Sequence, residues 1–266
     1  MRLGLPPSPS HDVARANAPL LARVLSATIP DITVDVAESY GALGDELLAK
    51  TLEIAWAPPI VCARVEMAGG RAVLRAVRSG MTSYRAGLVC RVLDEPDLAR
   101  PGDLVAAWVD QDSAAGYLLA RSWLAARKID ALQAFKSALF VGSYVSALQA
   151  VAEKRADIAS IFVTPAGAPA HSTLDEVDDA LRRKLRVFAT TGETQTDGVV
   201  TAPGADEARM APIIAALSAL VKDAEGAVVM KTLFACDELK KAPERPTSTA
   251  LRDLVAHNER TRARPY

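Results

Sequence analysis

Along this chain the apolar positions switch repeatedly between a period of two and a period near 3.6. Arg2-Leu3-Gly4-Leu5 is a short apolar strand, and Pro6-Pro7-Ser8-Pro9-Ser10 cuts it off, because proline fixes φ and removes the amide donor. From Asp12 to Ser26 the residues Val13, Ala16, Leu20, Leu21, Val24 and Leu25 recur at helical spacing, and Ile32 to Val36 alternates like a strand. That is a first βαβ unit. A helix over Tyr40 to Lys50 then leads to Glu53-Ile54-Ala55-Trp56-Ala57, apolar enough for a strand buried on both faces of a parallel sheet, which Pro58-Pro59 ends.

Ala72 to Val77 and Ala86 to Val92 read as strands separated by the turn-rich Arg78-Ser79-Gly80-Met81-Thr82-Ser83. The pattern then restarts. Strands at Leu104 to Val109, Ala138 to Val141 and Ile158 to Val163 alternate with helices at Ser113 to Lys128 and Tyr144 to Arg155, enough to close a second lobe. A helix over Leu174 to Leu185 and a strand over Leu185 to Thr190 come next, then a polar, turn-prone stretch from Thr191 to Gly198 and the pair Val199-Val200. Helices over Asp206 to Lys222 and Thr247 to Arg260 are expected to pack on the first lobe. The fold class is α/β, with two doubly wound sheets covered on both faces.

Composition narrows the function. Half of the 266 residues are hydrophobic, so the core needs no disulfide or metal staple. Lys plus Arg number 31 against 32 Asp plus Glu, and a net charge of −1 creates no field that would draw in nucleic acid. Aromatic content of 5% offers no stacking platform for bases, so the expected ligand is small and polar. Cys62, Cys90 and Cys236 are far apart and lack metal-ligand spacing; buried free thiols are expected, with no metal and no cofactor. No apolar run approaches the roughly 20 residues that span a bilayer. The start, Met1-Arg2-Leu3-Gly4-Leu5-Pro6-Pro7, has no secretory apolar region, which reads as cytoplasmic as written, or periplasmic if a signal peptide was removed.

In doubly wound sheets ligands gather at the carboxyl ends of strands. Five clusters stand there: Pro7-Ser8, Ser39-Tyr40, Trp56-Ala57-Pro58-Pro59, Asp110-Gln111-Asp112-Ser113 and Gly142-Ser143-Tyr144; a sixth, Ser83-Tyr84-Arg85, precedes a strand. Helix N-termini there would present unpaired N–H groups to an anion. The same residues have plainer uses. Ser39, Ser113 and Ser143 are what a helix wants as caps, Asp110 and Asp112 suit a helix start, and Tyr40, Tyr84 and Tyr144 serve equally as half-buried aromatics. Trp56 is the best candidate for a ligand-facing wall, with a core position the alternative; Arg85 suits a bidentate grip on an anion or a hinge ion pair. His11, His171 and His257 fall in expected loops or a terminal helix, away from any strand-end nucleophile, and there is no GxSxG, Walker A, GxGxxG or HExxH motif. Catalysis has no visible constellation.

Three stretches carry a family resemblance: Ser83-Tyr84-Arg85-Ala86-Gly87-Leu88-Val89, Trp108 to Tyr117 with its Asp110-Gln111-Asp112-Ser113 start, and Gly142 to Val151 leading to Ala156-Asp157-Ile158-Ala159. With them the chain resembles the phosphonate-binding subfamily of ABC-transporter solute-binding proteins. The resemblance implies the type 2 periplasmic-binding fold, with mixed, mainly parallel sheets and a hinge of two crossing strands near Tyr84 to Arg91 and Val187 to Thr191. Lobe 1 would then be residues 1–86 and 189–266, and lobe 2 residues 87–188, with the ligand held between them. It further implies a monomer that binds a small molecule and works with an ABC permease, or with a cytoplasmic protein if transport was lost.

The family's hydroxyl-rich run grips phosphonate oxygens, a role that falls to Ser113; Ala114 and Ala115 stand where it usually has two more hydroxyls, and Tyr144 where it usually has His. Each lost hydroxyl removes a hydrogen bond to an ionised ligand, about 1.5–3 kcal/mol, so a carboxylate fits at least as well as a phosphonate. The full set of candidate ligand-binding residues is Ser8, Ser39, Tyr40, Trp56, Pro58, Ser83, Tyr84, Arg85, Asp110, Ser113, Ala114, Ala115, Ser143 and Tyr144. A non-catalytic solute receptor is the leading reading. A cofactorless lyase similar to chorismate dehydratase, which shares the fold, and a cytoplasmic ligand sensor are the alternatives.

Overall fold

The computed structural model describes residues 1–7, 11–244 and 251–256. The chain forms two compact units: Met1–Thr82 with Gln195–Tyr266, and Ser83–Thr194. It therefore passes from one to the other twice, after Thr82 and after Thr194, whereas the family resemblance places these lines at 86 and 188.

The first unit is built on a six-stranded sheet. Its strands are β1 (Arg2–Leu5), β2 (Thr33–Val36), β3 (Ile54–Ala57), β4 (Arg71–Val77), β10 (Gly198–Thr201) and β11 (Glu238–Lys241), in the order β11-β4-β10-β3-β1-β2. Parallel pairing is confined to β1 with β2 and β3; β10 runs antiparallel between β3 and β4, and β11 antiparallel to β4. Both faces are buried, and the side-chain period of two sorts each strand between them. Leu3, Leu5, Ile54, Trp56 and Val199 face a core completed by α1 (His11–Ser26), α7 (Glu207–Leu220) and α8 (Ala224–Phe234). Ala55, Ala57 and Val200 face the opposite cluster, supplied by α2 (Tyr40–Leu48) and α3 (Pro59–Met67). Gly4 lies on that second side, where a Cβ would sit 2.3 Å from Leu52 Cδ2 and 3.0 Å from Leu43 Cδ1 of α2; these side chains pack directly on bare backbone.

The second unit has a five-stranded sheet. The strands are β5 (Ser83–Arg91), β6 (Val105–Trp108), β7 (Ser137–Phe140), β8 (Ile158–Val163) and β9 (Leu185–Gln195), in the order β7-β6-β8-β5-β9. β6 is parallel to β7 and β8, and β5 is antiparallel to β8. Helix α5 (Tyr144–Ala152) supplies Ala147, Leu148 and Val151 to a core with Val89, Ala107 and Ile161. Trp108 packs with Tyr117 and Phe135. Cys62, Cys90 and Cys236 are free and buried, and burial pushes the Cys62 thiol up to about 11.

Several expectations change. Pro58-Pro59 ends β3 but also opens α3, with Pro59 at the first helical position, where its missing N–H leaves nothing unpaired and its φ is already helical. The expected helix over Leu174 to Leu185 breaks into a 3₁₀ turn, Thr173–Asp175, and the short α6, Asp179–Arg182. Ser172 and Asp178 each sit in extended backbone and cap a new start, and those competing caps divide the segment. The polar stretch after Thr190 continues as strand to Gln195, because its polar groups find fixed partners, among them Thr191 Oγ1 accepting from Ala86 N at 3.0 Å. The two proposed hinge strands thus lie inside the second sheet and the crossings fall at their outer ends. α3, α8 and β11 were not foreseen. Residues 251–256 are helical; the rest of the expected Thr247 to Arg260 helix, with His257, lies outside the described residues. No helix among the described residues is long and apolar enough to cross a membrane.

Within the first unit the Arg75–Glu66 ion pair is buried, with side chains 1% and 9% exposed. Arg75 on β4 donates to Glu66 Oε1 at 2.9 Å and to the Thr196 carbonyl at 3.2 Å. Removing one partner of a buried pair strands the other charge. Glu66→Ala is therefore expected to lower the unfolding free energy by roughly 3–5 kcal/mol, while the double replacement Glu66→Leu/Arg75→Met stays near wild type; urea denaturation distinguishes them.

Candidate functional site

In the second unit, β7, β6 and β8 run parallel and end at one edge of the sheet. After β6 the chain turns tightly: Asp110 Oδ1 accepts from Asp112 N at 2.8 Å, and the Asp110 carbonyl accepts from Ser113 N at 3.1 Å. Ser113, in extended backbone, caps the next helix, its Oγ accepting from Gly116 N at 3.1 Å. Its carbonyl accepts from Leu118 N at 2.9 Å, so this helix opens with a π turn, Ala114–Leu118, before α4 (Leu119–Ala125). Gly116 permits this. A Cβ there would lie 2.5 Å from Val109 Cβ and 2.6 Å from Ser113 Oγ.

β7 ends in the same manner. Gly142 takes φ +83, and Ser143 caps α5 by accepting from Ser146 N at 3.1 Å. Val141 N donates to the Trp108 carbonyl at 2.9 Å and Gly142 N to the Val109 carbonyl at 2.8 Å, which stitches the two turns side by side. After β8 comes Thr164, whose carbonyl accepts from Arg85 Nε at 3.1 Å. Arg85 opposes Val163 on antiparallel β5 and so stands at the same edge. This half-buried guanidinium has no carboxylate within salt-bridge reach among the described residues. The edge thus assembles two capped helix starts and a cation, a donor set suited to an anion.

Not every candidate in this unit faces outward. Ala115 is 2% exposed with its carbonyl taken by Ser160 Oγ at 2.6 Å, and Tyr84 is a core residue whose ring lies 5.7 Å from that of Phe162. The side chains of both are buried, whereas Ala114 and Tyr144 are half-buried, the latter packed against the core. Ser83 Oγ donates to Glu193 Oε2 at 3.2 Å, and Asp110 is exposed with one carboxylate oxygen spent on its own turn.

In the first unit β1, β2 and β3 likewise end together. Ser39 caps α2, accepting from Ala42 N at 3.0 Å, with Tyr40 half-buried beside it; Pro58 is buried at the start of α3. Ser8 lies outside the described residues. Trp56 is a core residue rather than an open wall. It is 1% exposed, its ring stacks on Phe234 with centroids 3.9 Å apart, and Nε1 donates to Asp197 Oδ2 at 3.4 Å. The physical reason is that helices cover both faces of this sheet, and strand parity points position 56, with Ile54, to the face where α8 brings Phe234 against it.

Sequence reasoning missed Thr164, Glu193 and the Arg78–Asp197 pair, whose Nη2 to Oδ2 distance is 2.6 Å. Thr164 was within reach, being the first residue after an apolar strand that the pattern already delimited. Arg78 and Asp197 had no signal, since only antiparallel β4 and β10 bring them together. Among the described residues no group of His, Cys, Asp or Glu could hold a metal.

The model of one protein family, the periplasmic substrate-binding proteins of phosphonate ABC transporters, matches residues 3–244. No curated protein matches the chain at a significant level. Among solved structures, a Xanthomonas citri protein bound to a chloride ion is 17% identical, with 98% of each chain covered and a TM-score of 0.72. A binding protein component of an ABC phosphonate transporter from Pseudomonas aeruginosa is 18% identical, covering 98% of this chain and 87% of that one, at a TM-score of 0.68. PhnD1 from Prochlorococcus marinus in complex with methylphosphonate is 15% identical, 98% of each chain being covered, at 0.67. Such identities establish the type 2 periplasmic-binding fold. The family match goes further and sets the lyase alternative aside: this chain belongs to the phosphonate family of periplasmic ABC-transporter substrate-binding proteins, and is a solute binder.

Proposed function

We propose that this chain captures a small anionic solute on the strand-end edge of its second unit and delivers it to an ABC permease outside the cytoplasm. The observation that carries this reading is Arg85: half-buried, held through Nε by the Thr164 carbonyl, and lacking a carboxylate among the described residues. A guanidinium held through its Nε–H alone, as this one is among the described residues, keeps its remaining N–H fork for an anion.

The two serines differ in what they offer. Ser143 Oγ accepts from Ser146 N and donates to Ser146 Oγ at 2.8 Å, so its hydrogen is used. Ser113 Oγ accepts from Gly116 N, which leaves its hydrogen to donate, alongside the N–H groups of Ala114 and Ala115 that open the helix. One hydroxyl, a few amides and one guanidinium match the two oxygens of a carboxylate better than the three of a doubly charged phosphonate. A monocarboxylate is the favoured class.

Thermal-shift screening against acetate and longer carboxylates, methylphosphonate, phosphate and methanesulfonate tests this directly; a melting temperature unmoved by every anion would refute it. For whichever anion binds, Arg85→Ala is expected to weaken affinity by about 10- to 100-fold, as loss of a charged hydrogen bond requires, and Arg85→Lys by less.

The serine pair separates capping from binding. Ser113→Ala and Ser143→Ala should each lose about 1 kcal/mol of stability, but only Ser113→Ala should also weaken the anion in calorimetry.

A further inference from the structure

The segment after β8 doubles back on itself. Thr164 to Ser172 is closed at its base by the antiparallel bridge between Val163 and Ser172 and by Thr164 N donating to the His171 carbonyl at 2.9 Å. Thr164 Oγ1 braces it from within, donating to the Pro169 carbonyl at 3.0 Å and accepting from His171 N at 3.1 Å. Pro165 and Pro169 supply no N–H, and Gly167 takes φ +82 at the tip. At the tip Ala166 N donates to Glu193 Oε1 on the sheet at 2.9 Å.

Glu193 is the next-to-last residue of the second unit, and its other oxygen accepts from Ser83 Oγ, on the first residue of that unit. One carboxylate therefore joins the loop tip, β9 and the beginning of β5. The root of the same loop is Thr164, whose carbonyl holds Arg85. A loop of nine residues with two prolines is stiff enough to pass a restraint from tip to root, and its internal bonds leave little slack.

We propose that Glu193 is a positioning residue for Arg85: by pinning Ala166 it fixes the Thr164–Ser172 loop and hence the carbonyl that orients the guanidinium. The role of Arg85 as the anion's partner rests on the function proposed above. The restraint on it does not, and is measurable without ligand.

The test uses the full chain, free of ligand, with nitrogen-15 NMR of backbone amides and of Arg85 Nε–H. Glu193→Ala is expected to speed exchange of the Ala166 amide and the Arg85 Nε–H by about 10-fold or more, with the amides of β6 and β7 unchanged. Glu193→Gln keeps an acceptor oxygen and should restore most of the protection, which a merely charge-based role would not allow. Ala166→Pro removes the donor from the other end and should loosen Arg85 equally, so the idea survives a poorly folding Glu193 variant. Arg85 Nε–H exchange unaltered in both Glu193→Ala and Ala166→Pro overturns the positioning role. Titration with acetate and methylphosphonate separates the two ideas: affinities unaltered by Arg85→Ala overturn the anion-holding role alone.

Discussion

The architecture depends on β10 filling the gap between β3 and β4. Its four residues pair antiparallel on both sides, Gly198 opposite Ala57 and Arg75, Thr201 opposite Ile54 and Arg71. Gly198 makes the approach possible, since a Cβ there would lie 2.8 Å from the Leu74 carbonyl oxygen. Without β10 the parallel trio would end at β3 with a row of unpaired backbone groups. Because β10 comes after the second unit in the chain, the first unit completes its sheet only after the whole second unit has been made.

That topology turns the second unit into an insertion whose two ends must lie together. Ser83 and Glu193 meet there through a hydrogen bond, and Thr191 Oγ1 accepts from Ala86 N just inside. The anion-suited edge is built from the same strands: β5 contributes Arg85, and β8 contributes the carbonyl that holds it.

Helix starts at strand ends give the edge its chemistry. Ser113 and Ser143 are needed as caps whether or not a ligand is present, which is why their serine identity alone does not mark a binding role. The hydroxyl hydrogen separates them, spent on Ser146 in one and left to donate in the other. Ala114 and Ala115 bring no side-chain donor to this helix start, and Ala115 is buried and engaged through its carbonyl.

The fold class and most strands were legible in the sequence, because a strand buried on both faces must be apolar throughout and proline or glycine must punctuate it; Ile54–Ala57 and Ile158–Val163 are clear cases. The helix caps were legible for the same local reason. What escaped depended on partners distant in the chain. Trp56 is a core residue because Phe234 stacks on it from a helix the pattern did not reveal, and the polar run to Gln195 lies along β5, whose Ala86 N and Ser83 Oγ donate to Thr191 Oγ1 and Glu193 Oε2. Thr164, Arg85 and Glu193 acquire a common role only when β8, β5 and β9 lie side by side. Local periodicity and capping are written residue by residue, whereas those meetings are decided by sheet order, which pairs segments up to more than a hundred residues apart.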